Sequence, residues 1–83
     1  MRRSARDPRR SSATRKPEYR RFLARLRAAR EAAGMTQEAV AVRLKVRQSY
    51  VSKCESGERR VDVIDLAKFA RLYRKSLPYF VSG

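Results

Sequence analysis

Apolar residues recur at three- and four-residue steps along most of the chain, and this period constrains the fold more than any other feature. In residues 19–33, Phe22, Leu26, Ala29 and Ala33 follow one another at steps of four, three and four. Residues at this spacing lie on one face of an α-helix. No segment reads as a strand, so the sequence predicts an all-α fold with short connections.

Capping residues predict where the second and third helices begin and end. Gly34 fits the left-handed residue that ends the first helix, and Thr36 is a good N-cap for the second. The third helix should run over about residues 48–55 and stop at Gly57, although Arg47 is a poor cap. The inward-facing residues of this part are then Val40, Ala41, Leu44, Val51 and Cys54, with Val46 anchoring the turn.

Two more helices are predicted before the end of the chain. Asp62 and Asp65 resemble a capping box that opens the fourth helix. Ser76 can cap a short fifth helix, whose first turn tolerates Pro78. The predicted inner face of the fourth helix consists of Val63, Leu66, Phe69, Ala70 and Tyr73.

A chain of 83 residues forms one domain at most, with a modest core that often needs an additional stabiliser. A disulfide is excluded because Cys54 is the single cysteine, and a zinc site is not expected in a chain that has no histidine. Dimerisation is then the natural stabiliser. We interpret Cys54 as a small buried hydrophobic residue rather than a redox sensor.

The charge balance indicates an anionic partner. Lysine and arginine total 22 against 8 acidic residues, which gives a net charge of +14. Such an excess attracts nucleic acid, or alternatively an anionic membrane surface. The chain has no apolar run long enough to span a membrane and no apolar segment typical of a signal peptide, so we expect a cytoplasmic protein that binds nucleic acid and no membrane.

The N-terminal residues 1–16 differ in composition from the rest. They contain seven basic residues and one acidic residue, with no apolar periodicity. Such a segment cannot offset its ordering entropy, so we expect a disordered basic arm ahead of a folded domain over 17–83. The arm could insert arginines into a minor groove or add nonspecific attraction, and we favour the second.

Residues 36–57 read TQEAVAVRLKVRQSYVSKCESG and carry the most specific signal. This segment resembles the Cro/C1-type (XRE) family of helix-turn-helix regulators, and the resemblance extends from about Phe22 to Phe80. The positions that match the family pattern are Gln37, Ala41, Val46, Val51, Glu55 and Gly57. The chain departs from it at Lys45, where glycine is common, at Arg47, where a small cap is usual, and at Cys54.

The resemblance implies a compact five-helix bundle of the lambda-repressor-like DNA-binding type, with a recognition helix at about 48–55. Exposed side chains at the start and on the outer face of that helix are candidates for reading base edges in a major groove. These are Arg47, Gln48, Ser49, Ser52 and Lys53. The resemblance also implies that Gln37 contacts phosphate while bracing Gln48. The other candidate phosphate contacts are Arg43, Lys45, Tyr50, Arg59 and Arg60.

The resemblance further implies an ion pair between Arg30 and Glu55, the alternative being two independent surface charges. The C-terminal apolar cluster closes the core or, as in small family members, forms a dimer interface. That cluster consists of Leu77, Tyr79, Phe80 and Val81.

We therefore expect a transcriptional regulator, repressor or activator, that binds a two-fold operator as a homodimer. The alternatives are an antitoxin that represses its own operon and a protein-interaction module with the same fold. We expect no enzymatic activity, since there is no histidine, no paired-carboxylate cleft and no glycine-rich phosphate loop. No cofactor, metal or small-molecule ligand is indicated.

Overall fold

The computed structural model describes residues 16–81, which form five helices. In chain order these are α1 (Pro17–Ala32), α2 (Gln37–Leu44), α3 (Gln48–Ser56), α4 (Val63–Tyr73) and α5 (Leu77–Val81). The described residues contain no strand, so the predicted all-α class and the five helices are confirmed. The predicted arm lies outside the described residues except for Lys16, which is the N-cap of α1. No helix within 16–81 is long and apolar enough to cross a membrane.

The helix starts follow from local capping chemistry. Pro17 occupies the first turn of α1, where its missing N–H costs nothing. The Thr36 hydroxyl accepts a hydrogen bond from the Ala39 N–H at 3.0 Å, and the Asp62 carboxylate accepts one from the Asp65 N–H at 2.8 Å. Both predicted caps, of α2 and of α4, are therefore confirmed.

The core lies where α1 packs against α3, α4 and α5. Small residues allow close helix approach, and Phe69 and Phe80 are the largest side chains that are fully buried. Its buried residues are Phe22, Leu26, Ala29, Val40, Ala41, Val51, Cys54, Phe69, Ala70, Tyr73 and Phe80. The apolar stripe predicted for α1 is thus confirmed over its first three members.

Three residues that were expected to face inward lie at the surface instead. Ala33 is exposed at the C-cap of α1, and Val63 is 66% exposed as the first residue of α4. Each residue extends the apolar stripe of its helix, but no other helix covers the stripe at that position. Val46 is 36% exposed, and its backbone N–H donates to the Ala41 carbonyl at 2.9 Å. The backbone of Val46, more than its side chain, therefore holds the turn between α2 and α3.

The C-terminal cluster divides into a buried and an exposed part. Phe80 is fully buried, with its ring 6.4 Å from that of Phe22 and 5.0 Å from that of Tyr79. Leu77 and Val81 are 42% and 70% exposed. Phe80 therefore fits the core-closing alternative, because its ring completes the core of its own chain, and a dimer contact through Leu77 and Val81 stays a prediction.

Candidate nucleic-acid interface

The crossing of α2 and α3 presents the outer face of α3 to solvent. Ala41 is small and buried where the two helices meet, and Val51 and Cys54 are fully buried on the inner face of α3. Because the inner face is occupied by core contacts, α3 has one free side. A short connection of three residues joins the two helices.

Five polar residues occupy this free side and the residue just before it, and all of them are exposed. They are Arg47, Gln48, Ser49, Ser52 and Lys53. Positions four apart on a helix are neighbours, so 48, 49, 52 and 53 form one continuous surface. The side chain of Arg47 makes no capping hydrogen bond. Amide, guanidinium and ammonium groups at these positions can donate to base-edge acceptors in a major groove.

The connection between α2 and α3 contains a left-handed residue that is not glycine. Lys45 has φ 61° and ψ 45°, and its N–H donates to the Val42 carbonyl at 3.2 Å. A side chain in this conformation costs about 1–2 kcal/mol. Lys45 thus adopts, at the position where the family pattern commonly has glycine, a conformation that glycine reaches without this cost. Arg74, at the C-cap of α4, adopts nearly the same conformation with φ 60°.

An ion pair anchors the C-terminal end of α3 to α1. Arg30 Nε lies 2.6 Å from Glu55 Oε2, and a second nitrogen of the same guanidinium lies 3.2 Å from Glu55 Oε1. The two side chains are only 11% and 6% exposed. The hydrogen bond from Arg30 to Glu55 raises the pKa of the guanidinium, which keeps it charged. The pair expected from the resemblance is present, with bidentate geometry.

Two further groups join this pair, and neither was expected from the sequence. Arg30 also donates to the Met35 carbonyl at 2.9 Å, and Gln37 Nε2 donates to Glu55 Oε1 at 3.0 Å. The Gln37 amide thus contacts the end of α3, and no hydrogen bond within residues 16–81 joins it to Gln48. The bracing of Gln48 by Gln37 is replaced by a network that links α1, α2 and α3 through Glu55.

The candidate phosphate contacts differ in exposure. Tyr50 packs inward, its ring stacked on Phe69 with centroids 6.4 Å apart. Burial raises the pKa of Tyr50, and the nearby Asp65 carboxylate raises it further. Tyr50 is half-buried, so less of its side chain is available to a phosphate than in the exposed candidates. The exposed candidates are Arg43, Lys45, Arg59 and Arg60.

The single cysteine belongs to the core side of α3. Cys54 is fully buried, and burial raises the pKa of its thiol. Because the thiolate is the reactive form, a raised pKa lowers reactivity. The predicted role as a small buried hydrophobic residue is confirmed.

One comparison with known proteins identifies a relationship. A model of the helix-turn-helix domain family matches residues 21–77, which run from α1 to the first residue of α5. The match includes all of α2 and α3 and the connection between them. The comparisons with curated proteins and with solved structures found no match.

Proposed function

Because this chain belongs to the helix-turn-helix domain family, we propose that it is a transcriptional regulator that binds a specific double-stranded DNA operator. The observation that carries the proposal is the exposed polar face of α3, held by core contacts on its other side. A helix presented in this way fits a major groove. The net charge of +14 supplies the nonspecific attraction that such binding needs.

Within this proposal the residues divide into two roles. Gln48, Ser49 and Lys53 read base edges, with Arg47 and Ser52 beside them. Backbone amides in the first turn of α2 and the exposed cations near α3 bind phosphates and set the register without reading sequence. Those cations are Arg43, Lys45, Arg59 and Arg60.

A homodimer is the assembly that this proposal favours. Val81 and Leu77 expose apolar surface on α5, beside the half-buried Tyr79. Exposed apolar residues next to one another favour a two-fold contact in a domain this small. Two copies would place two α3 helices in successive major grooves, about 34–36 Å apart.

Footprinting on the DNA upstream of the protein's own gene, together with sedimentation, tests the assembly and the operator. We expect two protected half-sites about one helical turn apart, and a dimer at micromolar concentration. A single protected half-site bound by a monomer would contradict the two-fold arrangement. Absence of any protected site in a pool of genomic fragments would contradict specific binding itself.

Replacing Lys45 by glycine should separate stability from DNA affinity. The change removes the left-handed strain and should raise the free energy of unfolding by about 1 kcal/mol. It also removes one proposed phosphate contact, so the slope of log affinity against log salt should fall by about one. Urea denaturation and a salt series of DNA titrations measure the two effects.

Arg74→Gly is the matched control for the stability effect, because it removes the same strain at the end of α4. Both variants should gain similar stability. A gain at Arg74 alone would show that Lys45 is not strained in solution. An unchanged salt slope in the Lys45 variant would remove this residue from the phosphate contacts.

A further inference from the structure

A groove lined by basic residues lies between the C-terminal end of α2 and the second half of α4. It has a volume of about 320 Å³. We call it the basic groove. Its lining residues are Arg43, Leu44, Lys68, Arg71, Leu72 and Arg74. No residue of the proposed reading face of α3 lines it.

Within residues 16–81, no salt bridge neutralises the cations of the basic groove. Four of its six lining residues are cations, and none is acidic. The ion pairs among residues 16–81 join Arg27 to Glu31 and Arg30 to Glu55, and neither involves the groove. The C-terminal dipoles of α2 and α4 contribute about half a negative charge each. The four positive charges therefore exceed by a wide margin the partial negative charge at these two helix ends.

The remaining lining residues give the basic groove an apolar component. Leu44 and Leu72 are half-buried between the cations. Both helices end at the groove, so their free backbone groups there are carbonyls, which cannot donate to a phosphate. Arginine and lysine side chains bind carboxylates with charge-assisted hydrogen bonds. Cations beside two leucines therefore suit carboxylates interspersed with apolar side chains, because the leucines add an apolar contact that a bare phosphate would not use.

We propose that the basic groove binds an acidic peptide segment of a partner protein, with carboxylates on the cations and an apolar side chain against Leu44 and Leu72. This site goes beyond the proposed function, because no base-reading residue of α3 lines it and Arg43 is its one lining residue among the proposed phosphate contacts. The segment would be recognised by charge and by one or two apolar contacts, which is how an exposed groove achieves specificity without enclosing its ligand.

Fluorescence anisotropy with the full chain tests the proposal, at a salt concentration of about 0.15 M. The probes are a labelled peptide of alternating Glu and Leu, and the same peptide with Ala in place of Leu. The variant is Lys68→Gln with Arg71→Gln, two exposed positions on α4. Its control is Arg20→Gln with Arg21→Gln, which removes the same charge from exposed positions on α1.

We expect the α4 variant to bind the Leu peptide about fivefold more weakly than the unmodified chain, and the α1 control to change by less than about twofold. The Ala peptide should bind more weakly than the Leu peptide. Equal losses in the two variants would overturn the proposal, since diffuse charge would then explain binding. Equal affinity for the two peptides would overturn the role of the leucines.

Two further measurements cover the remaining outcomes. Amide chemical shifts of the unmodified chain should change at the end of α2 and in the second half of α4 when the Leu peptide is added. Shift changes confined to other residues would overturn the site.

Titration with a DNA duplex tests whether the basic groove binds DNA phosphates instead of peptide carboxylates. If the α4 variant loses DNA affinity but keeps peptide affinity, the groove binds phosphate and the proposal is wrong, whether or not α3 reads bases.

Discussion

Replacing Glu55 by alanine should lower the free energy of unfolding by about 3–5 kcal/mol. The variant leaves the Arg30 guanidinium charged, with its side chain only 11% exposed and without its carboxylate partner. It also removes the acceptor of the Gln37 amide. Three helices lose their common link, so the loss should appear in the stability of the whole domain. Urea denaturation followed by circular dichroism measures it.

Glu31→Ala is the matched control for this experiment. It breaks the Arg27–Glu31 pair, whose side chains are 67% and 56% exposed. An exposed pair four residues apart on a helix contributes about 0.3–0.5 kcal/mol, because water screens it. The two alanine variants should therefore differ severalfold in their effect. An unchanged melting temperature for Glu55→Ala would show that the buried pair does not hold the fold together.

Replacing Gln48 and Lys53 together by alanine should weaken binding to the operator by about a hundredfold or more. A good contact to a base edge contributes about 1–3 kcal/mol of discrimination, and two such contacts are removed. Both side chains are exposed, so the fold should remain intact. Affinity for an unrelated duplex should fall far less, since only one positive charge is lost. Titration of both duplexes, with a thermal melt of the variant, gives the required comparison.

Arg21→Ala provides the control for charge, because it removes one exposed cation from α1. Its affinity for operator and for unrelated DNA should change little and by the same factor. If the affinity of the double variant also fell by the same factor for both duplexes, its two residues would contribute electrostatic attraction without reading sequence. The assignment of α3 as the reading helix would then fail.

Much of the fold could be predicted because its determinants are local. Thr36 and Asp62 cap helices through their own hydroxyl and carboxylate, whatever the rest of the chain does. The predictions of burial were wrong for residues whose burial depends on the position of another helix. Val63 continues the apolar period of α4 but lies beyond the core, and no spacing rule indicates where a neighbouring helix ends.

The candidate interface likewise has features that follow from local sequence and features that depend on contacts between helices. The exposed face of α3 could be predicted from spacing and from the resemblance. The contact between Gln37 and Glu55 could not, because it joins residues 18 positions apart on different helices. The partial burial of Tyr50 could not be predicted for a related reason. Its partner Phe69 lies on α4, and only the folded arrangement shows that the ring stacks there.

The most direct test of the central claim is an NMR titration of the labelled chain with a bound operator duplex and with an unrelated one. If α3 enters the groove, the operator should shift the amide signals of residues 48–53 and of the first turn of α2 most strongly. The unrelated duplex should shift them less. Shifts centred on α4 and α5 with both duplexes, and none along α3, would contradict the claim that α3 reads DNA.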